Sequence, residues 1–221
     1  MLERIDHLGR RAIDVIVSAA VLIPLARLLL LTALLIRVTS RGSIFFVQPR
    51  VERHKRLFHL LMFRTTAVGA PVRGPAITVR ADPRVTPLGR WLPRFRLDEL
   101  PQFLAVLAGS MRIIGPHPEV SRYIASYTPA QRAIFRVRPG ITDAASLAFR
   151  DESSLLATYL DPERAYHEGI LGRTLAIGLD DLERQTVLTN LAIAARTVCG
   201  FFCRPAHTSS VLGLAVPANG L

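Results

Sequence analysis

Twenty-four consecutive residues, Ile13–Ile36 (IDVIVSAAVLIPLARLLLLTALLI), hold only two charged side chains, Asp14 and Arg27. As a helix rising 1.5 Å per residue the stretch reaches about 36 Å, enough to cross a bilayer. Pro24 sits near its middle, where it removes a backbone donor and bends or interrupts a helix. Arg4, Arg10 and Arg11 precede the stretch, and Arg37, Arg41, Arg50, Arg53, Lys55 and Arg56 follow it. Positive flanks favour the cytoplasmic side of a membrane, and here both flanks are positive. A straight span would export one set, whereas a hairpin bent at Pro24 keeps both inside. The sequence therefore favours a re-entrant hairpin over a straight anchor or the buried helix of a soluble protein. A cleaved signal peptide fits poorly, because the run is long and charge interrupts it.

Charge follows the same division. Residues 1–81 carry 13 Lys+Arg against 4 Asp+Glu, while residues 82–221 carry 15 against 13. A cationic region that also holds the most apolar segment points to a membrane surface. Nucleic acid is not expected, since no stacking aromatics interleave the basic residues. Half of the 221 residues are apolar, which excludes intrinsic disorder. Two cysteines exclude a disulfide scaffold and a Cys-rich zinc module. Cys199 and Cys203 share a helix face and read as a small buried apolar pair.

The expected fold class is α+β, mainly helical. A membrane-anchoring segment at 1–42 precedes a cytosolic domain at 43–200, and 201–221 is expected to be a disordered tail. Ser40–Gly42 ends the first helix. Residues 44–48 and 57–64 read as extended pieces, and 67–80, rich in Gly and Pro, as a loop. A helix is expected over 96–108, with Asp98 as its N-cap, Pro101 in its first turn and Gly109 closing it. Gly115-Pro116-His117-Pro118 forms a rigid turn. Residues 119–136 read as helical, and so do 161–197, with an interruption near Gly178.

The adjacent acids Asp98-Glu99 stand out chemically. At a helix start such a pair commonly caps the helix and complements its dipole. The same position attracts phosphate, a carboxylate there can attack phosphorus, and a neighbouring Glu can hold Mg²⁺. Arg50, Arg64 and Arg138 are either phosphate ligands or solvated charge. No Walker loop, nucleophile elbow or Rossmann glycine pattern is present.

Taken in order, RRAID (10–14), Pro24, LLIRVTSRGSIFFVQPR (34–50), FRT (63–65), DPRVTPLGRWL (82–92), LDELPQ (97–102), VLAGSM (106–111), GPHP (115–118), RPGIT (138–142) and Arg150 resemble the bacterial sugar transferase family, the monotopic phosphoglycosyl transferases. The resemblance covers about residues 10–197. It implies a monotopic membrane protein on the cytoplasmic face of the bacterial inner membrane, with a re-entrant helix. It implies transfer of a sugar-1-phosphate from a UDP-sugar to undecaprenyl phosphate with release of UMP, initiating a membrane glycan. Asp98 would attack the β-phosphate and Glu99 would bind Mg²⁺. Phosphate binding would fall on Arg64, Arg138 and Arg150. Met62, Pro93 and His117 stand where the family usually has a cation, so Arg94 and Arg96 become stand-ins for the one at Pro93 and a protonated His117 for its own. The alternative reading is a membrane-bound relative with weak or no activity, acting as a binding or scaffold protein. The sequence does not name the sugar, the pathway or the oligomeric state.

Overall fold

The computed structural model describes residues 2–69 and 82–202. Most of the expected 67–80 loop, the expected tail and Cys203 lie outside the described residues. The first element is one long helix, α1 (Leu2–Thr39), with Pro24 inside it. Helical structure therefore runs through the position where the sequence suggests a bend. Its segment Gly9–Thr39 is long and apolar enough to cross a membrane, and only a small share of that segment is buried. The covered positions form a stripe. Asp14, Ser18, Thr32 and Ile36 are buried, and Val21, Leu25 and Leu29 between them are partly covered. This spacing of three and four residues is one helix face. The opposite face is open, with Ile16, Ile23, Leu30 and Leu34 all exposed.

The same domain holds both ends of the apolar segment. At the first end, the Arg11 guanidinium donates to the carbonyls of Val106 and Leu107. The Asp14 carboxylate accepts the Ile113 N–H at 3.2 Å and pairs with Arg112 at 3.5 Å. At the other end Ile36 packs in a cluster with Phe63 and Leu92. Helix α1 ends on schedule at Ser40–Gly42. Gly42 has φ +106°, and a Cβ there would lie 2.7 Å from Arg64 Nη1.

An antiparallel hairpin follows, β1 (Phe45–Val51) with β2 (Leu57–Phe63), in the register Phe45 opposite Phe63. The expected helix over 96–108 is shorter and starts later. Two 3₁₀ turns, Leu92–Phe95 and Leu97–Glu99, precede α2 (Gln102–Ala108). The break falls at Arg96, whose φ of 53° and ψ of 25° are left-handed. Asp98 therefore lies inside a 3₁₀ turn whose N-cap is Arg96, and not at the N-cap of a longer helix as expected. Gly109, at φ +91°, closes α2 as expected, and its N–H bonds back to Ala105 and Val106.

Two short strands escaped the sequence reading, β3 (Arg112–Ile114) and β4 (Gly140–Thr142), paired in parallel. They sit beside the GPHP and RPGIT motifs and press these together. A Cβ on Gly140 would lie 2.2 Å from the Gly115 nitrogen, so only glycine permits this approach.

The expected helix over 119–136 is two pieces. They are α3 (Ser121–Ile124) and a 3₁₀ turn (Gln131–Arg136), separated at Thr128-Pro129, where proline disfavours helix for the residue before it. Short helices α4 (Ala144–Ala148), α5 (Glu152–Leu156) and α6 (Pro162–Ala165) come next. A π-helical turn (Tyr166–Ile170) leads into α7 (Leu171–Glu183) and then α8 (Val187–Phe202). The final interruption lies at 184–186, not at Gly178. Thr186 and Thr189 exchange backbone-to-side-chain bonds of 2.7 and 3.1 Å, a reciprocal cap that starts a new helix. Gly178 instead lets Ile134 approach α7. The main core joins Tyr123, Tyr127, Phe135, Phe149, Leu156, Ile170 and Leu175 beneath these helices. Cys199 is exposed rather than buried.

The Asp14–Arg112 contact ties α1 to β3 and is largely shielded from water. Asp14→Ala leaves the Arg112 guanidinium buried without its acid. Equilibrium unfolding in detergent should show a loss on the order of 3 kcal/mol.

Candidate functional site

A cavity of about 430 Å³ opens between the 3₁₀ turns before α2, the GPHP loop, and helices α4, α5 and α7. That volume suits a small polar ligand. Arg96, Glu99, His117, Glu119, Arg150 and Glu152 are among its polar lining. Glu99 is paired with Arg96 at 2.6 Å, a contact set up by the left-handed turn at Arg96. Glu99 and, after it, Asp98 act to keep the Arg96 guanidinium charged, raising its pKa.

Asp98 lies between these two cavity residues in the chain. Its Oδ1 is buried and has no hydrogen-bond partner. Burial, and then the charge of Glu99, push its pKa up to about 7. One turn on, Gln102 is fully buried with neither amide atom bonded. Buried polar atoms rarely lack partners, so the Asp98 oxygen has unused capacity to accept a hydrogen bond.

The GPHP loop is held from two sides. Asp143 is buried and accepts the His117 N–H at 3.1 Å and the Ser146 N–H at 2.6 Å. It therefore caps α4 and clamps the loop together. From the other side, Arg50 donates to the Pro118 carbonyl at 3.0 Å and to Glu119 at 3.3 Å. The Tyr166 hydroxyl donates to Glu119 Oε2 at 2.6 Å. Desolvation and then Glu119 raise the Tyr166 pKa, so this phenol stays protonated.

His117 presents open surface to the cavity while protein surrounds it. That enclosure, followed by the charges of Arg50 and Arg96, lowers its pKa to about 3. These surroundings favour the neutral ring, against the cation that the sequence reading asks of His117. Met62 packs against an apolar cluster and supplies none either.

The structure brings together only part of the expected site. Glu99, His117 and Arg150 line the cavity, and Arg150 Nη1 lies over Gly200 of α8. Arg64 does not line it. Its guanidinium donates to the carbonyls of Ser40 and Arg41 at 3.1 and 2.6 Å, and to Ser40 Oγ, so it secures the end of α1. Arg94 is exposed and lies over the Trp91 ring, 5.5 Å from its centroid. Arg138 is outside the cavity lining, and its charge is felt by Arg112. Arg96, named from the sequence as a stand-in for the cation missing at Pro93, does line the cavity, whereas Glu119, Asp143 and Glu152 were missed as cavity residues because they converge only through tertiary packing.

Arg96 and Glu99 line this cavity, and Asp98 lies between them in the chain with its Oδ1 buried but is not among the lining residues. Comparison with known proteins identifies the family. A family model for bacterial sugar transferases matches residues 5–204, and the chain belongs to that family. An undecaprenyl-phosphate glucose phosphotransferase of Komagataeibacter xylinus is 39% identical over 153 residues, which cover 66% of this chain and 29% of that protein. The exopolysaccharide production protein ExoY of Sinorhizobium fredii is 32% identical over 168 residues, covering 69% of this chain and 74% of that protein. A UDP-glucose:undecaprenyl-phosphate glucose-1-phosphate transferase of Escherichia coli is 31% identical, with 70% and 34% covered. The chain thus matches only about a third of the length of the larger relatives.

The neutral state of His117 has a measurable consequence. Its folded pKa lies below the unfolded value of about 6.5, so the folded form binds fewer protons. The stability tied to this residue is complete above pH 6.5 and is lost as pH falls towards 3. Denaturation midpoints of wild type and His117→Gln, compared at pH 7.5 and 5, should show the wild type losing more on acidification.

Proposed function

We propose that this protein transfers a sugar-1-phosphate from a UDP-sugar to undecaprenyl phosphate, releasing UMP and starting assembly of a membrane glycan. The observation that supports this most is the buried, unpartnered Asp98 Oδ1 beside the Arg96–Glu99 pair at the cavity. In the first half-reaction an Asp98 carboxylate oxygen attacks the β-phosphorus. The bond from that phosphorus to the UMP oxygen breaks, and UMP leaves with the electron pair. The phosphosugar is then held on Asp98 as an acyl phosphate. An oxygen of the lipid phosphate next attacks the same phosphorus and frees the carboxylate. Arg96, kept charged by its acidic neighbours, faces the charge that gathers on the phosphoryl oxygens.

The residues present suit Mg²⁺. Among the described residues no three His, Cys, Asp or Glu gather as a metal cage. Mg²⁺ needs only one or two carboxylates when substrate phosphates complete its shell, and Glu99 with the orphaned Asp98 oxygen fits that donor set. Bound there, the cation would offset the negative charge of the diphosphate.

In this reading α1 is re-entrant, with both ends on the cytoplasmic face and the domain in the cytosol. Two observations support it. Arg11 and Asp14 at one end and Ile36 at the other are held by the same domain. Trp91 and Phe95, exposed and stacked on each other, are close in the chain to Leu92, which packs with Ile36, and exposed aromatic rings suit a headgroup layer. Cysteines placed at Leu8 and Ser43 should both resist a membrane-impermeant thiol reagent in intact cells and react after permeabilisation. Labelling of either one from outside overturns the re-entrant topology.

A second reading, a relative that binds but turns over weakly, is favoured by the neutral His117 and apolar Met62. One experiment separates the two. Purified protein with Mg²⁺, undecaprenyl phosphate and a panel of UDP-sugars should release UMP. Wild type with UDP-sugar alone should carry a phosphosugar on the peptide containing Asp98, read by mass spectrometry after acid quenching. Asp98→Asn should keep its fold, since Asn matches the size of Asp and can accept the same backbone N–H bonds, and should lose transfer and adduct, because a neutral amide is a poor nucleophile towards phosphorus. Wild type without UMP release from any donor supports the binding protein instead.

A further inference from the structure

Gly200 lies inside the last turn of α8 (Val187–Phe202). Glycine is a poor helix former, second only to proline. Among the described glycines Gly42, Gly69 and Gly109 have left-handed φ and Gly200 does not, so it does not end its helix as Gly109 ends α2. The reason for glycine is a neighbour from another part of the chain. A Cβ at this position would overlap Arg150 Nη1, and would lie 2.5 Å from Arg150 Cζ and 2.8 Å from Nη2. The Arg150 guanidinium therefore rests against the bare backbone of α8.

The covered face of α8 brings Gly200 there. Ile193 is buried, Thr197 and Gly200 are half-buried, and their spacing of four and three residues is one helix face. The helix packs on β3, β4 and α4. Thr197 Oγ1 lies 3.1 Å from Oγ1 of Thr142, the last residue of β4. The next residue is Asp143, which holds the His117 loop, so one strand end fixes both α8 and a wall of the cavity. Among the described residues three arginines line that cavity. Arg50 is paired with Glu119 at 3.3 Å and Arg96 with Glu99 at 2.6 Å. Arg150 makes no hydrogen bond or ion pair among the described residues. A guanidinium on a cavity wall without a carboxylate of its own is suited to an anionic ligand.

We infer that Gly200 is a positioning residue: its missing side chain lets the Arg150 guanidinium lie against α8 at the cavity, where it meets a phosphoryl group of a substrate. The inference rests on the transferase reading above and goes beyond it, because it makes substrate binding depend on how the last helix is seated. Gly200 itself touches no substrate and acts only through Arg150. A side chain at this position displaces the guanidinium rather than the helix, since the end of a long arginine moves at less cost than packed backbone.

The test is a double-mutant cycle on the full chain in detergent with Mg²⁺: wild type, Gly200→Ala, Arg150→Ala and the double variant. Two substrates carry a phosphoryl group, so UDP and a short-chain polyprenyl phosphate are the probes for equilibrium binding. Gly200→Ala should melt at or above the wild-type temperature, because alanine is the better helix former. It should bind at least one probe about tenfold more weakly, the scale of one hydrogen bond to a charged group. In the Arg150→Ala background the same substitution should change affinity less than about twofold, because its effect passes through the missing guanidinium. Gly200→Ser adds the same Cβ and should match Gly200→Ala. The probe that loses affinity shows whether the donor's diphosphate or the lipid's phosphate lies against Arg150, and either one supports the inference. Unchanged affinity of Gly200→Ala for both probes overturns it, as does an equal loss in both backgrounds. A Gly200→Ala chain that melts well below wild type gives the glycine a packing role and overturns it too. A wild type that binds neither probe overturns the transferase reading as well, whereas normal wild-type binding with no coupling overturns this inference alone.

Discussion

The contact between Gly115 and Gly140 is the constraint on which the rest of this molecule depends. Two backbones pass so closely that a Cβ on Gly140 would lie 2.2 Å from the facing nitrogen. That approach allows β3 and β4 to pair in parallel, and the pairing fixes the loop that follows each strand. One loop carries His117 and Glu119, and the other carries Asp143. The Asp143 carboxylate then closes the arrangement by bonding to the His117 N–H and capping α4. The cavity is the space these loops leave beneath the 3₁₀ turns that carry the acid pair.

Electrostatics divides the cavity into regions of different character. Arg96 is stabilised as a cation by Glu99 and Asp98, whereas Arg50 is occupied in orienting Glu119 and the Pro118 carbonyl. Between these two cations a histidine is driven neutral, because a third positive charge in an enclosed space would be costly. Among the described residues the cation paired with Glu99 is Arg96, placed there by a left-handed backbone conformation that costs about 1 kcal/mol or more.

The long apolar helix is fastened at two places to the domain that holds the cavity. Its covered stripe runs from Asp14 to Ile36, and each end is fastened differently. Asp14 uses a buried ion pair with Arg112, next to β3, while Ile36 uses apolar packing against Phe63 and Leu92. Arg64, which by residue type alone suits phosphate, is spent on the carbonyls that end α1. Its guanidinium satisfies helix-terminal acceptors that would otherwise be left open.

Local chemistry alone made several parts of this protein legible. The apolar run of α1, its stop at Ser40–Gly42, the hairpin strands and the Gly109 cap each depend on neighbours in the chain. So does the Asp98-Glu99 pair, whose chemistry is a property of two adjacent side chains. Tertiary structure decided the rest, because the deciding partners are remote in sequence. The start of α2 moved to Gln102 when Arg96 turned left-handed to meet Glu99. The pKa of His117 is lowered by burial first, and then by the charges of Arg50, 67 positions earlier, and Arg96. Arg64 and Arg94 left the expected phosphate site for Ser40 and Trp91, while Glu119, Asp143 and Glu152 entered the cavity from three different elements. Burial and charge pairing are properties of the folded arrangement, so spacing along the chain carries no record of them.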